Sequence, residues 1–220
     1  MSVTEAWIDL VRVLSDIAPD TAGSFLPPTP AADVEAAEAA TGLLWTEELR
    51  EFYSLHAGQR PYDSPGHRHG GQLLPYQDLL GVDRVLSERA LMIEVWQGIT
   101  EADPGFFIGG YEGLLAEHPQ AGSEARGYLP QYIPLSGEDG NFYFCDLRPG
   151  PLHGCVRGYL DGAADCSGPL WASISTMLDA LRVSLEDGTS FQGVLESVWR
   201  VTEGHLWWRP PGPEPDSRYE

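Results

Sequence analysis

Apolar residues recur at helical spacing through the first third of the chain, then gather into short runs between turn residues. Trp7, Leu10, Val11, Leu14 and Ile17 share one face of a helix that Thr4 is placed to cap and that ends near Ala18-Pro19. Leu26-Pro27-Pro28-Thr29-Pro30 is rigid and extended. Thr29, with Pro30 at the first helical position, opens an Ala-rich helix that runs to about Ala40 and is closed by Gly42. Thr46 caps a third helix. Glu47 and Glu48 sit in its first turn, Leu49, Phe52, Tyr53 and His56 face inward, and Gly58 ends it. Gln59 to Gly71 is a polar loop.

Leu73-Leu74-Pro75 reads as a short strand or extended link. Tyr76 to Trp96 has helical periodicity through Leu79, Val82, Leu86 and Leu91, with a break at Gly81 and a strand over Leu91 to Val95 both left open. Gly98 to Gly127 alternates Gly, Pro and aromatics and reads as an inserted loop or irregular strands. The remainder looks like sheet. Gln131 to Leu135 is a strand, Gly137-Glu138-Asp139-Gly140 an acidic turn, Asn141 to Leu147 an aromatic strand, and Gly154 to Leu160 a third. Two short connections in a row predict an antiparallel meander. Leu170, Ile174, Met177, Leu178, Leu181 and Leu185 mark a late amphipathic helix, and Val198 to Thr202 with Leu206 to Trp208 a C-terminal hairpin. Helices first and sheet second predict an α+β fold. One domain is expected over residues 1–209, with 98–127 as an insertion and 210–220 as a disordered Pro-rich tail.

The charge changes the picture. The net charge is −20 over 220 residues, and every basic side chain except histidine is arginine. Such a chain repels nucleic acid and anionic membranes and attracts basic partners at long range, although acidity also serves plain solubility. No apolar run approaches the length of a membrane span, and the first residues lack a basic stretch followed by an apolar block. A soluble, cytoplasmic protein is therefore expected. Three cysteines, Cys145, Cys155 and Cys166, form no CxxC pair and read as free thiols.

The order of these pieces resembles the SUKH superfamily, a domain shared by a fungal regulator of cell-wall glucan synthesis and many bacterial immunity proteins. The likeness is carried by Trp7; Leu26-Pro27-Pro28; Ala36 to Gly42 with Leu43, Leu44 and Trp45; Leu49-Arg50-Glu51-Phe52-Tyr53; and His56-Ala57-Gly58. It continues through Leu73-Leu74-Pro75, Tyr132-Ile133-Pro134-Leu135, Cys145-Asp146-Leu147, Pro149-Gly150-Pro151 and Gly154-Cys155-Val156. Trp45, Ala57 and Tyr132 stand where the family usually has Pro, Asn and Trp. The resemblance implies a binding module without catalytic activity; a monomer or weak homodimer without a cofactor is expected. Its bacterial members neutralise toxins, often nucleases, by direct contact. A regulatory or scaffold role is the alternative, and an enzyme the more distant one.

Resemblance and charge agree on a basic protein partner, since a nuclease must present a basic cleft. Glu138 and Asp139, with Glu101, Asp103, Asp161 and Asp165 on predicted loops, are candidates for the partner-facing surface; a solvated rim is the alternative. Tyr132 and Tyr143, with Phe142, are candidate aromatic anchors, although strand alternation turns at least half of such residues inward. Asp146 reads as structural, satisfying amides of the turn that follows. His67 and His69 of His67-Arg68-His69 could share a strand face but have no third ligand nearby except Asp63, and the cysteines with His153 are too widely spaced, so no metal is expected. A Cys155–His153 nucleophile pair at i, i+2 lacks the reach for mutual contact. No phosphate loop, nucleophile elbow or paired carboxylates appear.

Overall fold

A computed structural model describes residues 1–60, 71–105, 107–160 and 168–212. Its architecture is α+β. The first helix, α1 (Val3–Ile17), is capped two residues earlier than expected, by Ser2 rather than Thr4, and Ser2 forms a reciprocal capping box with Glu5. The Thr4 amide instead donates to Glu51 Oε1 of α4 (Glu47–Leu55). A single turn, α2 (Pro19–Ala22), follows α1. The Ala-rich α3 (Ala31–Thr41) begins after Pro30 and ends on Gly42 in the left-handed conformation. Thr46 caps α4 by accepting from the Leu49 amide, as its position predicts.

The Tyr76 to Trp96 periodicity is only partly helical. Tyr76 has φ 61°, Leu74 and Gln77 form a bridge, and β1 (Asp78–Leu79) joins the sheet before α5 (Val82–Ala102) begins at Gly81. Gln77 explains the early strand. Its Oε1 accepts from Ser136 Oγ and the Tyr143 amide, which holds the segment against the sheet. Residues 98–127 are not irregular strands. α5 runs straight through Gly98, α6 (Gly110–Glu117) follows, and Leu114, Ala121 and Ala125 enter the core.

The central sheet is the expected antiparallel meander, in the order β1–β2–β3–β4, with β2 Tyr132–Glu138, β3 Asn141–Asp146 and β4 Val156–Tyr159. The ladder shifts register between Pro134 and Ser136, and Tyr53 of α4 donates its hydroxyl to the Pro134 carbonyl at that irregularity. The late helix, α7 (Ile174–Asp187), starts at a Ser173 cap rather than at Leu170, because Leu170 and Trp171 bond to the backbone of Val156. The predicted hairpin is β6 (Glu196–Thr202) with β7 (His205–Arg209), extended to three strands by β5 (Phe191–Gln192).

One apolar cluster runs from Val3 of α1 to Trp208 of β7. α1 packs on α7, and the C-terminal hairpin is tied to α2: the Asp20 amide donates to Gly204 O at 3.0 Å, and the Leu206 amide to Thr21 Oγ1 at 2.8 Å. Both faces of the central sheet are covered, so its residues are buried almost throughout. No helix among the described residues is long and apolar enough to cross a membrane.

Candidate functional site

The most concentrated polar chemistry lies inside the molecule. Asp146, at the end of β3, is fully buried between two buried arginines, Arg148 and Arg157. Its Oδ2 accepts from Arg148 Nη2 at 2.6 Å, from the Gly122 amide at 3.0 Å and from Arg157 Nη1 at 3.3 Å. Its Oδ1 accepts from the Arg148 amide at 3.1 Å and from Arg148 Nε at 3.0 Å. The amide contact is the turn-satisfying role expected from the sequence. Arg148 reaches on to the carbonyls of His118 and Ser123, and Arg157 to that of Ser123. Charges leave water only when paired and hydrogen-bonded on all sides. The trio therefore works as a clamp holding the segment from His118 to Ser123 against the sheet.

That clamp removes Tyr132 from the surface. Its ring stacks on Phe144 at 4.1 Å between centroids, with the guanidinium of Arg148 5.2 Å and that of Arg157 6.0 Å from its centre. Tyr143 is likewise inside, its hydroxyl accepting from the Val194 amide. Neither tyrosine presents a ring to a partner, contrary to the sequence expectation. Strand alternation misleads here because the sheet is covered on both faces, so inward and outward positions are equally buried.

The acidic candidates divide differently. Asp139 and Gly140 both have positive φ, 47° and 79°, giving the tight primed turn between β2 and β3. Asp139 is exposed at its tip, with Glu138 half-buried beside it. Glu101 and Asp103 are exposed at the C-terminal end of α5, on helix and cap rather than on a loop. Asp161 and Asp165 lie outside the described residues, as do His67, Arg68, His69 and Cys166.

The cysteine and histidine chemistry has little reactive character. Burial raises the Cys145 thiol well above its ordinary value, and burial with the charge of Asp146 pushes Cys155 up to about 11. His153 turns its Nδ1 to the Arg148 carbonyl, 3.0 Å away. Among the described residues no three of His, Cys, Asp or Glu converge as a metal site. His56, which the sequence turns inward, is fully buried against Trp7 and Phe52, and its Nδ1 accepts from the Gly58 amide at 3.0 Å.

The sequence reading missed the two buried arginines and the outward side of α5. The signal for the first was Arg157, a charge within the short strand β4 (Val156–Tyr159). The signal for the second was Leu91, read as inward but 54% exposed. No curated protein matches the chain significantly. The profile of the SMI1/KNR4 family (SUKH-1) matches residues 28–180, from the Pro-rich link before α3 into α7. With more than half of the chain matched, the chain belongs to the SMI1/KNR4 (SUKH-1) family.

Proposed function

We propose that this chain is a non-catalytic binding protein of the immunity type, which neutralises a basic toxin domain by direct contact. The observation that carries the reading is the fate of its arginines. Arg148 and Arg157 are buried. Arg12, Arg50, Arg84 and Arg182 are paired with the chain's own carboxylates, and Arg60, Arg89 and Arg209 donate to its own carbonyls. A chain of net charge −20 thus turns most of its described cations to internal use and presents carboxylates outward. A basic cleft of the kind that grips phosphate backbones is the complementary surface, and association with it is fast and salt-sensitive.

The test is to identify the protein that co-purifies from the native cell and to measure binding across a salt series. A basic partner, bound about tenfold or more weaker when salt rises from about 50 to about 500 mM, is expected. An acidic partner, or an affinity flat across that range, overturns the reading.

A further inference from the structure

The 21-residue α5 buries Val82, Val85, Met92 and Trp96, and Trp96 donates its indole N–H to the Tyr159 hydroxyl at 2.7 Å. The flank beside this buried stripe is unusual. Leu91, Val95 and Ile99, at i, i+4 and i+8, are 54%, 43% and 40% exposed. Among the described residues no other helix carries more than one exposed large apolar side chain. Beside this ridge runs the parallel row Ala90, Glu94, Gly98 and Ala102, all exposed. A side chain at Gly98 would meet nothing within 4 Å, so the glycine, which costs about 1 kcal/mol in a helix, serves no packing within this chain. A ridge on the i±4 row beside a shallow groove is the relief into which a second helix packs.

The charges specify which helix. By helical spacing Glu94 lies in the row beside the ridge, Glu101 one row beyond it, and Asp103 closes the ridge's C-terminal end. The last turn has no basic residue to offset the helix dipole. The two arginines of α5 do not offset this charge. Arg84 pairs with Glu88 before the ridge begins, and Arg89 turns in to the Pro130 carbonyl. A second copy of the chain would bring the same carboxylates against these, and an anionic membrane would be repelled. We propose that this face of α5 is the docking ridge for a basic amphipathic helix of the partner. The inference deepens the immunity-type reading and rests on it.

The probe is a leucine–lysine peptide of about 18 residues with its leucines on one helical face, compared with its leucine–glutamate counterpart. Binding is read by fluorescence anisotropy at low salt, and the site by amide chemical shifts. Saturable binding of the lysine peptide alone is expected, with shifts centred on residues 90–103. Gly98→Gln should fill the groove and weaken binding about tenfold or more, while leaving the melting temperature unchanged or raised. The paired changes Leu91→Ser and Ile99→Ser, at exposed positions, should weaken it comparably, as should E94Q with E101Q. Wild-type affinity in the Gly98→Gln and Leu91→Ser/Ile99→Ser chains, with salt sensitivity intact, overturns the ridge but leaves the basic-partner reading standing. Failure of the lysine peptide to bind the wild-type chain overturns the ridge, and the basic-partner reading is then decided separately by the identity and salt dependence of the co-purified partner. Self-association in sedimentation, abolished by Gly98→Gln, would make the occupant a second copy and also overturn the proposal.

Discussion

Replacing His56 by phenylalanine should remove a specific acid sensitivity from the fold. The imidazole is fully buried, and its Nδ1 accepts the Gly58 amide proton. Its Nε2 has no hydrogen-bond partner among the described residues and lies among the rings of Trp7, Phe52 and Tyr53. A charge there would be desolvated, so burial pushes His56 down from 6.5 to about 3. The unfolded chain protonates this group near pH 6.5, whereas the folded chain does not until near pH 3. The unfolded state therefore binds the extra proton, and stability falls as pH drops through the window between those values. At about 1.4 kcal/mol per pH unit, the loss between pH 7 and pH 5 is about 2 kcal/mol. That figure barely depends on the folded value as long as it lies below about 4. Phenylalanine leaves the Gly58 amide unpaired, so the variant should be less stable by about 1–3 kcal/mol at pH 7. The comparison is between slopes, in which the contributions of Asp78, Glu38 and His118 cancel. Urea unfolding at pH 7, 6 and 5 should show the wild type converging on the variant by about 2 kcal/mol. Parallel curves would refute a buried, neutral His56.

Asp146→Ala strands two buried guanidinium groups and should cost about 3–5 kcal/mol in urea unfolding, with the amides of residues 118–123 losing exchange protection first. A loss under about 1 kcal/mol would mean that the clamp is open to water. Gly58→Ala adds a Cβ 2.6 Å from the Gly81 amide nitrogen at φ +98°, so destabilisation above about 2 kcal/mol is expected, and a neutral change would show that α4 and the start of α5 do not meet this closely. In a Cys166→Ser chain, disulfide-exchange reagent at pH 8 should find no fast thiol. Cys155 there is about one part in a thousand thiolate, and both remaining cysteines should titrate only on unfolding.

Local chemistry made much of the fold legible. Thr46, Gly42 and the Glu138 to Asn141 turn declare themselves through caps and left-handed positions that few residue types satisfy. The first and late helices show their period plainly, and the hairpin is marked by its Glu203-Gly204 turn. The stretch from Tyr76 to Gly127 was less readable because two of its determinants are distant. Gln77 binds strands met some sixty residues later, and Gly98 in mid-helix obeys no propensity rule. Of the candidate site, the acidity was visible and its placement was not. Glu101 and Asp103 looked like loop residues because the helix beneath them looked broken. Tyr132 and Tyr143 looked like anchors because the alternation of a strand cannot say that both faces of its sheet are covered.

The partnership of α1 with α7 and of α2 with the C-terminal hairpin has a consequence in time rather than in space. Residues 3–22 are made before α7 and the hairpin, the elements that pack on α1 and accept the Asp20 amide. α2 and α4 can cover part of the apolar face of α1 early, but the part that α7 covers must wait, and closing so long a loop is a late step. Folding should accordingly be slow, gated by the arrival of α7 and the hairpin, and until then the nascent chain exposes part of α1 to chaperones.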